Sequence, residues 1–460
     1  MGEPATWPAS VRTADTDQHL ELVQGDPLGE GGEGAVFRTR HGSLAVKVCS
    51  AVDESPARLT ERLRRLQWLP LEAVPICRPL EQLAAPDVGY VMELLQDMVA
   101  LRTICTPAND DPAVWYAMGG GLRRRLLLLA RCASVVAILH DRGIVYSDIS
   151  PGNVMISADV AHHELWLVDA DNLQTESSAA GRRVGTPYYT APELLRGTSG
   201  NTVYSDLFSF AVMAYETLTT NHPMIGEYVD EGPPELENDA QRGLVPWIDH
   251  RTDDRNRTRY GFSADQVLTR RLRNLFAQAF EEGMDAPRSR PGAGEWADAL
   301  FSAADRCVTC PTCSHDYYVA RNNCPWCTTI RPPVLAVEVF EQFPRVGDDP
   351  AAVLDDQDLT LLIQAGRPLV VTERTVIRHG STPDRVLAQL DWNGGGTVSV
   401  RNRGSAAIRR VPPTGRAGRT LVPGGSADEL LSAPWVLHFG SERQPHRMLA
   451  IRPPEVRGVR

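Results

Sequence analysis

The chain has 460 residues, 42% of them hydrophobic, enough for ordinary packed cores and, at typical domain sizes, for about three domains. Its longest apolar run, Leu126 to Leu139, is interrupted by Arg131 and ends at His140-Asp141, so it reads as a buried helix and not a membrane span; no basic stretch followed by an apolar core opens the sequence, and the expected location is the cytoplasm. The net charge of −11 is uneven, with +8 over residues 361–460 and −19 over the rest, but without lysine clusters or interleaved aromatics the basic end ranks nucleic acid below an acidic protein surface.

Residues 1–20 are polar, with two prolines, and read as a loose lead-in. Next, Gly29-Glu30-Gly31-Gly32-Glu33-Gly34 satisfies G-x-G-x-x-G. The runs that follow, Ala35–Thr39 and Leu44–Val48, have strand character, so the glycines belong to a hairpin tip and not to a strand-to-helix turn. Such a tip can lay backbone N–H groups over phosphates, because glycine allows close approach. All but one of the 47 basic residues are arginine, and the single lysine, Lys47, lies on the second of these strands. Lysine is a compact point charge where arginine is a planar fork, so a chain that uses arginine elsewhere is expected to keep an ammonium where only a point charge serves. A helix is expected from Pro56 to Leu69, with Leu59, Leu63 and Leu66 at helical spacing. Glu61, between the first two, either turns inward to pair with Lys47 or lies in solvent and pairs with Arg65 at i+4.

Helical patterns dominate from 112 to 305: Leu122–His140, Ser205–Thr219 and Leu268–Phe280. A small β-rich lobe followed by a larger helical lobe is an α+β arrangement with a cleft at the junction. In the polar stretch after the first of these helices, Ile144-Val145-Tyr146-Ser147-Asp148-Ile149-Ser150-Pro151-Gly152-Asn153 sets a carboxylate and a carboxamide five residues apart. Leu165-Trp166-Leu167-Val168-Asp169-Ala170-Asp171 is a strand ending in acids, and Gly185-Thr186-Pro187-Tyr188-Tyr189-Thr190-Ala191-Pro192-Glu193 follows. Together these segments resemble the protein-kinase superfamily over residues 21–303. The first is similar to the H-R-D-x-x-x-x-N catalytic loop, the second to D-F-G, and the third to the G-T-x-x-Y-x-A-P-E close of the activation segment. Asp206 and Arg290 fall where that family has the brace of the catalytic loop and the arginine that pairs with Glu193.

The resemblance implies a bilobal domain, with an N-lobe over about 21–95 and a C-lobe over about 96–303. It implies ATP held by Gly29, Gly31, Gly34, Val36, Ala45, Lys47, Met92, Glu93 and Leu95, with Glu61 orienting Lys47. Asp148 would accept the proton of a protein hydroxyl, Asn153 and Asp169 would ligate Mg2+, and Thr186 would sit near Asp148. Five positions depart from the family pattern: Tyr146 and Ser147 replace His and Arg, Ser150 replaces a lysine, and Ala170-Asp171 replaces Phe-Gly. Without the arginine there is no cationic pocket for a phosphorylated loop to neutralise, so activity is expected without loop phosphorylation. Asp171 offers an alternative second metal ligand. The D-A-D segment and the Y-T-A-P-E ending resemble bacterial kinases associated with von Willebrand factor A proteins and PP2C-type phosphatases in tellurite-resistance-like clusters, which would supply partners.

Five of nine cysteines fall between Cys307 and Cys327. Cys310-Pro311-Thr312-Cys313 and Cys324-Pro325-Trp326-Cys327 form two C-x-x-C knuckles ten residues apart; this spacing suits a structural zinc and resembles a zinc ribbon over 306–329. Two redox pairs are the competing reading, Cys307 a competing ligand, and Tyr317-Tyr318 an expected contact face. Cys49, Cys77, Cys105 and Cys132 read as reduced thiols. After the stiff Arg331-Pro332-Pro333 linker, residues 334–455 look all-β, with strands expected at Val334–Phe343, Leu369–Arg378, Thr397–Arg401, Trp435–Phe439 and Arg447–Ile451. A plain sandwich that binds partners is favoured over a forkhead-associated-like one. The expected function is an ATP- and Mg2+-dependent serine/threonine protein kinase. The alternatives are a nucleotide-binding pseudokinase scaffold and a small-molecule phosphotransferase.

Overall fold

The computed structural model describes residues 7–23, 25, 27–31, 34–40, 42–50, 55–107, 111–179, 183–343, 352–376, 384–412, 418–440 and 444–452. Gly32 and Glu33 of the glycine motif, and the ends of the expected segments at Arg378 and 455, lie outside them. The chain divides into two units, one of residues 1–120 and 124–300, the other of residues 301–460 with 121–123.

In the first unit, β1 (Ser10–Arg12) and β2 (His19–Glu21) form an antiparallel pair. They are followed by β3 (Gly29–Gly31), β4 (Gly34–Arg38), β5 (Leu44–Cys49), α1 (Pro56–Leu66), β6 (Pro79–Gln82) and β7 (Gly89–Glu93). Five of these strands make an antiparallel sheet in the order β3-β4-β5-β7-β6. The alternation of a strand sends every second side chain to one face. Here Ala35, Phe37, Val46, Val48 and Val91 turn to one side and pack with Val11, Leu20 and Leu22. The lead-in expected through residue 20 is therefore, from Trp7 on, part of this layer, because Val11 and Leu20 supply apolar cover that the sheet requires. Helix α1 is capped by Ser55, whose side chain accepts from Arg58 N, and ends at Leu66, three residues short of the expected Leu69, where the turn tightens to i→i+3 bonds.

The larger lobe contains β8 (Met98–Ala100), α2 (Pro112–Met118), α3 (Gly121–Asp141), β9 (Ile144–Val145), β10 (Val154–Ser157), β11 (Leu165–Leu167), β12 (Gln174–Thr175), α4 (Val203–Thr219) and α5 (Arg270–Phe280). Helix α4 is apolar nearly all round and correspondingly buried, as expected for a central helix. It starts in a reciprocal capping box between Thr202 and Ser205. Tyr215 of α4 packs edge-on against Phe276 of α5 and against Trp247.

The second unit begins with β13 (Cys307–Thr309) and β14 (Asp316–Tyr318), antiparallel partners at the base of the cysteine module. Pairing turns Tyr317 and Tyr318 inward, to 1% and 8% exposure, so the expected contact face is instead core. The remainder is all-β: β15 (Val334–Phe343), β16 (Ala352–Gln364), β17 (Leu369–Thr372), β18 (Val386–Trp392), β19 (Thr397–Asn402), β20 (Ile408–Val411), β21 (Arg419–Leu421), β22 (Ser426–Leu430), β23 (Trp435–His438) and β24 (His446–Ile451). They form a six-stranded sheet, β16-β15-β24-β23-β20-β21, and a four-stranded sheet, β17-β18-β19-β22. Val337, Leu437 and Leu449 from one sheet and Val371, Leu390 and Val400 from the other share a single core, the signature of a sandwich. The strand expected at Leu369–Arg378 stops at Thr372 and gives way to a helical turn, Glu373–Val376.

One buried ion pair ties the larger lobe together. Arg290 donates from Nη1 and Nη2 to the two carboxylate oxygens of Glu193 at 2.7 and 2.8 Å, and also to the carbonyls of Gly283 and Tyr204. The side chains are 0% and 8% exposed, so removing one member strands the other's charge away from water. Glu193→Ala is expected to cost about 3–5 kcal/mol, read as a lower urea midpoint in equilibrium unfolding.

Candidate active site

The sheet face opposite the apolar layer builds one wall of the site. In register, Val36 on β4 faces Lys47 on β5, Lys47 faces Tyr90 on β7, and Ala45 faces Met92, so these five side chains share one face. Gly34 closes the hairpin at φ +145°, where an added Cβ would lie 2.1 Å from Val48 O; only glycine fits. Lys47 is 5% exposed. Its Nζ lies 3.1 Å from Asp169 Oδ1 and 3.6 Å from Asp171 Oδ1, and 5.8 Å from the centre of the Tyr90 ring.

Glu61 does not join this group. Its carboxylate, half exposed, accepts from Arg64 Nη1 at 3.1 Å and Arg65 Nε at 3.0 Å, so the solvated reading holds and the pair with Lys47 is not formed. The reason is helical phase. Leu59, Leu63 and Leu66 are the buried stripe of α1, and at 100° per residue position 61 points away from it while position 62 borders it. Arg62 therefore reaches inward, with Nη2 3.1 Å from Asp171 Oδ2. Asp171 has no exposed side-chain surface and accepts from the Tyr90 hydroxyl at 3.2 Å. Arg62 and Tyr90 are the site residues that the sequence reading missed; the i+3 step from Leu59 was the available signal for the first.

The opposite wall is the loop between β9 and β10. Asp206, at the start of α4, accepts from the backbone N–H groups of Tyr146 and Ser147 at 2.7 and 2.9 Å, and its Oδ2 lies 3.0 Å from His140 Nε2. Those bonds hold Ser147 at φ +75°, a conformation a non-glycine residue adopts only under constraint, and so fix the direction of Asp148. The Tyr146 ring is buried, and its hydroxyl donates to Val168 O. Burial lifts the Tyr146 phenol far above its ordinary range, reinforced by the nearby Asp169 and Asp148 charges, so it stays a donor. Ser147 receives a bond from Gln174 Nε2 at 3.0 Å, a neutral pair where the family pattern has a cation.

Asn153 Nδ2 donates to Asp148 O and to Asp148 Oδ2, both at 2.9 Å, which turns its carboxamide oxygen the other way. Val168 N bonds Asn153 O at 3.0 Å, placing Asn153 and Asp169 at the same end of the β10–β11 hairpin. Thr186 Oγ1 donates to Asp148 Oδ1 at 2.7 Å, so a hydroxyl already occupies the position of a proton donor. Burial raises the Asp169 carboxyl above its ordinary range, against the pull of Lys47 and with the push of Asp171. Two oxygen-bearing side chains at one end of the hairpin are the ligand type that a hard cation such as Mg2+ takes. The expected nucleotide positions Gly29, Met92, Glu93 and Leu95 fall on or just after β3 and β7 of the same sheet.

In the second unit, the sulfur atoms of Cys310, Cys313, Cys324 and Cys327 all lie within 4.8 Å of one another. The two knuckles fold alike: Ser314 N bonds Cys310 O and Thr328 N bonds Cys324 O, with φ +61° at both Ser314 and Thr328. Cys307 is excluded from the group; its thiol points to Ala303 O, 3.5 Å away. His315 stacks on Trp326 at 4.6 Å. Four convergent thiols of this kind could hold zinc.

Residues 22–250 match the protein kinase domain family. Among characterised proteins the chain is similar to the serine/threonine-protein kinase pkn2 of Myxococcus xanthus, 29% identical over 213 residues, covering 44% of this chain and 24% of that protein. It is also similar to the DNA damage-responsive serine/threonine-protein kinase RqkA of Deinococcus radiodurans (28% over 215 residues, 44% of this chain and 30% of that one). PknB of Mycobacterium tuberculosis is 30% identical over 232 residues, 46% of this chain and 35% of its own. The chain thus spans about a quarter to a third of the length of these three relatives. No helix among the described residues is long and apolar enough to cross a membrane. Over residues 22–250 the chain is thus similar to a protein kinase domain, and the three relatives are serine/threonine-protein kinases.

Proposed function

We propose that the chain is an ATP- and Mg2+-dependent serine/threonine protein kinase that works without phosphorylation of its activation segment. The observation that carries this is the convergence of Lys47, Asp148, Asn153 and Asp169 on one cleft, with Thr186 donating to Asp148 as a substrate hydroxyl would. Asp148 accepts the hydroxyl proton and directs the oxygen, while Lys47 holds phosphate oxygens. Asn153 and Asp169 would hold Mg2+, which when bound neutralises charge on the phosphoryl group. A protein substrate is favoured over a small molecule by the groove of about 500 Å³ beside Thr186, lined by Arg102, Tyr188, Tyr189, Glu216 and His222. The neutral Ser147–Gln174 pair supports activity that does not wait for a phosphate on the loop.

The displacement of Glu61 from Lys47 favours, as the second reading, a pseudokinase scaffold that acts by protein contact. The two separate on one assay, incorporation of labelled phosphate from ATP into itself or a generic protein. Asp148→Asn is expected to lower incorporation at least about a hundredfold. Equal incorporation by both proteins would sink the kinase reading. Lys47→Arg keeps the charge but not its shape, and is expected to lower the rate about a hundredfold or more with an unchanged thermal melt.

In this reading the cysteine module holds one structural zinc and, with the sandwich, recruits substrates or partners. By resemblance, those partners include a von Willebrand factor A protein and a PP2C-type phosphatase. Metal analysis is expected to find one zinc per chain in wild type and in Cys307→Ser, and less than about half of that in Cys313→Ser; equal loss in both variants would overturn the ligand set.

A further inference from the structure

The helix α1 presents the site with a cation, Arg62, where the family pattern leads one to expect an acid. Among the described residues, the carboxylates that the structure places at Lys47 are those of Asp169 and Asp171. Asp169 is partly exposed and is committed, on the reading proposed above, to the metal. Asp171 is different. It is fully buried and three groups close around it: Lys47 at 3.6 Å and Tyr90 Oη at 3.2 Å on Oδ1, and Arg62 at 3.1 Å on Oδ2. The Arg62 nitrogen is off-line for a hydrogen bond, so charge attraction holds that contact. Two cations and a phenol leave Asp171 no open side for a second metal ion, which removes the alternative role raised for it on sequence grounds.

We infer that Asp171 is the positioning residue for Lys47, taking over the task of the helix carboxylate, and that Arg62 uses the same carboxylate to tie α1 to the segment that carries Asp169. This inference rests on the kinase reading for its catalytic consequence, not for its geometry. Two cations share one buried acid, so the ammonium, α1 and the metal-binding segment are aligned through a single carboxylate. In the family pattern the orienting acid travels with the helix. Here it travels with the metal-binding segment, and an outward swing of α1 would carry off Arg62 but leave Lys47 in place.

The solitary lysine makes the test clean. Protein grown with lysine labelled with carbon-13 at Cε gives one ε resonance, read without nucleotide or metal and so independent of phosphotransfer. Asp171→Asn is expected to move that resonance toward its position in the unfolded chain, Asp171→Glu to return it toward wild type, and Glu61→Gln to leave it unmoved. Kinetically, Asp171→Asn is expected to lower kcat/KM for ATP about tenfold or more, and Glu61→Gln to stay within about twofold. Should Asp171→Asn not fold, Tyr90→Phe removes the hydrogen bond to Oδ1 and keeps the aromatic ring, and a smaller shift in the same direction is expected. An unmoved resonance in Asp171→Asn, or in Tyr90→Phe if that variant is the one that folds, overturns the assignment, as does a larger effect from Glu61→Gln. Wild type that transfers no more phosphate than Asp148→Asn would instead sink the kinase reading, leaving the resonance to decide the role of Asp171.

Discussion

An ammonium drawn out of water must be balanced within a few ångströms, and the cleft is arranged around that requirement. Lys47 sits on a strand whose other face is packed with apolar side chains, so its charge has no route to solvent through the sheet. Balance comes from the end of β11, where Asp169 and Asp171 flank the ammonium. Two acids against one lysine would leave an excess of negative charge; Arg62 supplies the second cation. Lys47, Arg62, Asp169 and Asp171 thus form a near-neutral cluster that couples the sheet, the helix and the segment after β11.

The other half of the cleft follows from a carboxylate used in the opposite way. Asp206 takes no part in charge balance around Lys47; it gathers backbone N–H groups at the point where the chain must turn through Ser147. With the loop held from below, neither a histidine nor an arginine is required ahead of Asp148 to shape it. Tyr146 is buried at the histidine's position in the motif and bonds Val168, just ahead of Asp169. The departures from the family pattern are therefore accommodated by local packing and by neutral hydrogen bonds.

Most of the site was legible because its spacing is short-range. The five-residue step from Asp148 to Asn153 closes within one loop, whereas the pairing of Glu193 with Arg290, 97 residues apart, was legible only through the resemblance of both motifs to the family pattern. The knuckles were legible from their short spacing. Glu61 was misplaced because an acid near the expected sequence distance was allowed to outweigh the phase of the leucine stripe, which already assigned the inward position to Arg62. Tyr90 carried no local signal; it reaches the site only through the register of β5 against β7. In the sandwich, β16, β18, β20, β21 and β22 escaped the reading, and Tyr317-Tyr318 looked exposed, because burial there is decided by strand pairing between separate segments.

The lone lysine has a consequence for chemistry done to the protein as well as by it. Every other basic side chain is a guanidinium, which ordinary acyl donors and aldehydes attack poorly at neutral pH. The only side-chain amine is 5% exposed and lies against Asp169 and Asp171. Acylation or any other amine-directed modification of a side chain therefore has one target in this chain, and reaching it means entering the cleft. A surface that in most proteins collects such marks without effect is here silent, and the mark, where it lands, removes the one ammonium that balances the two acids.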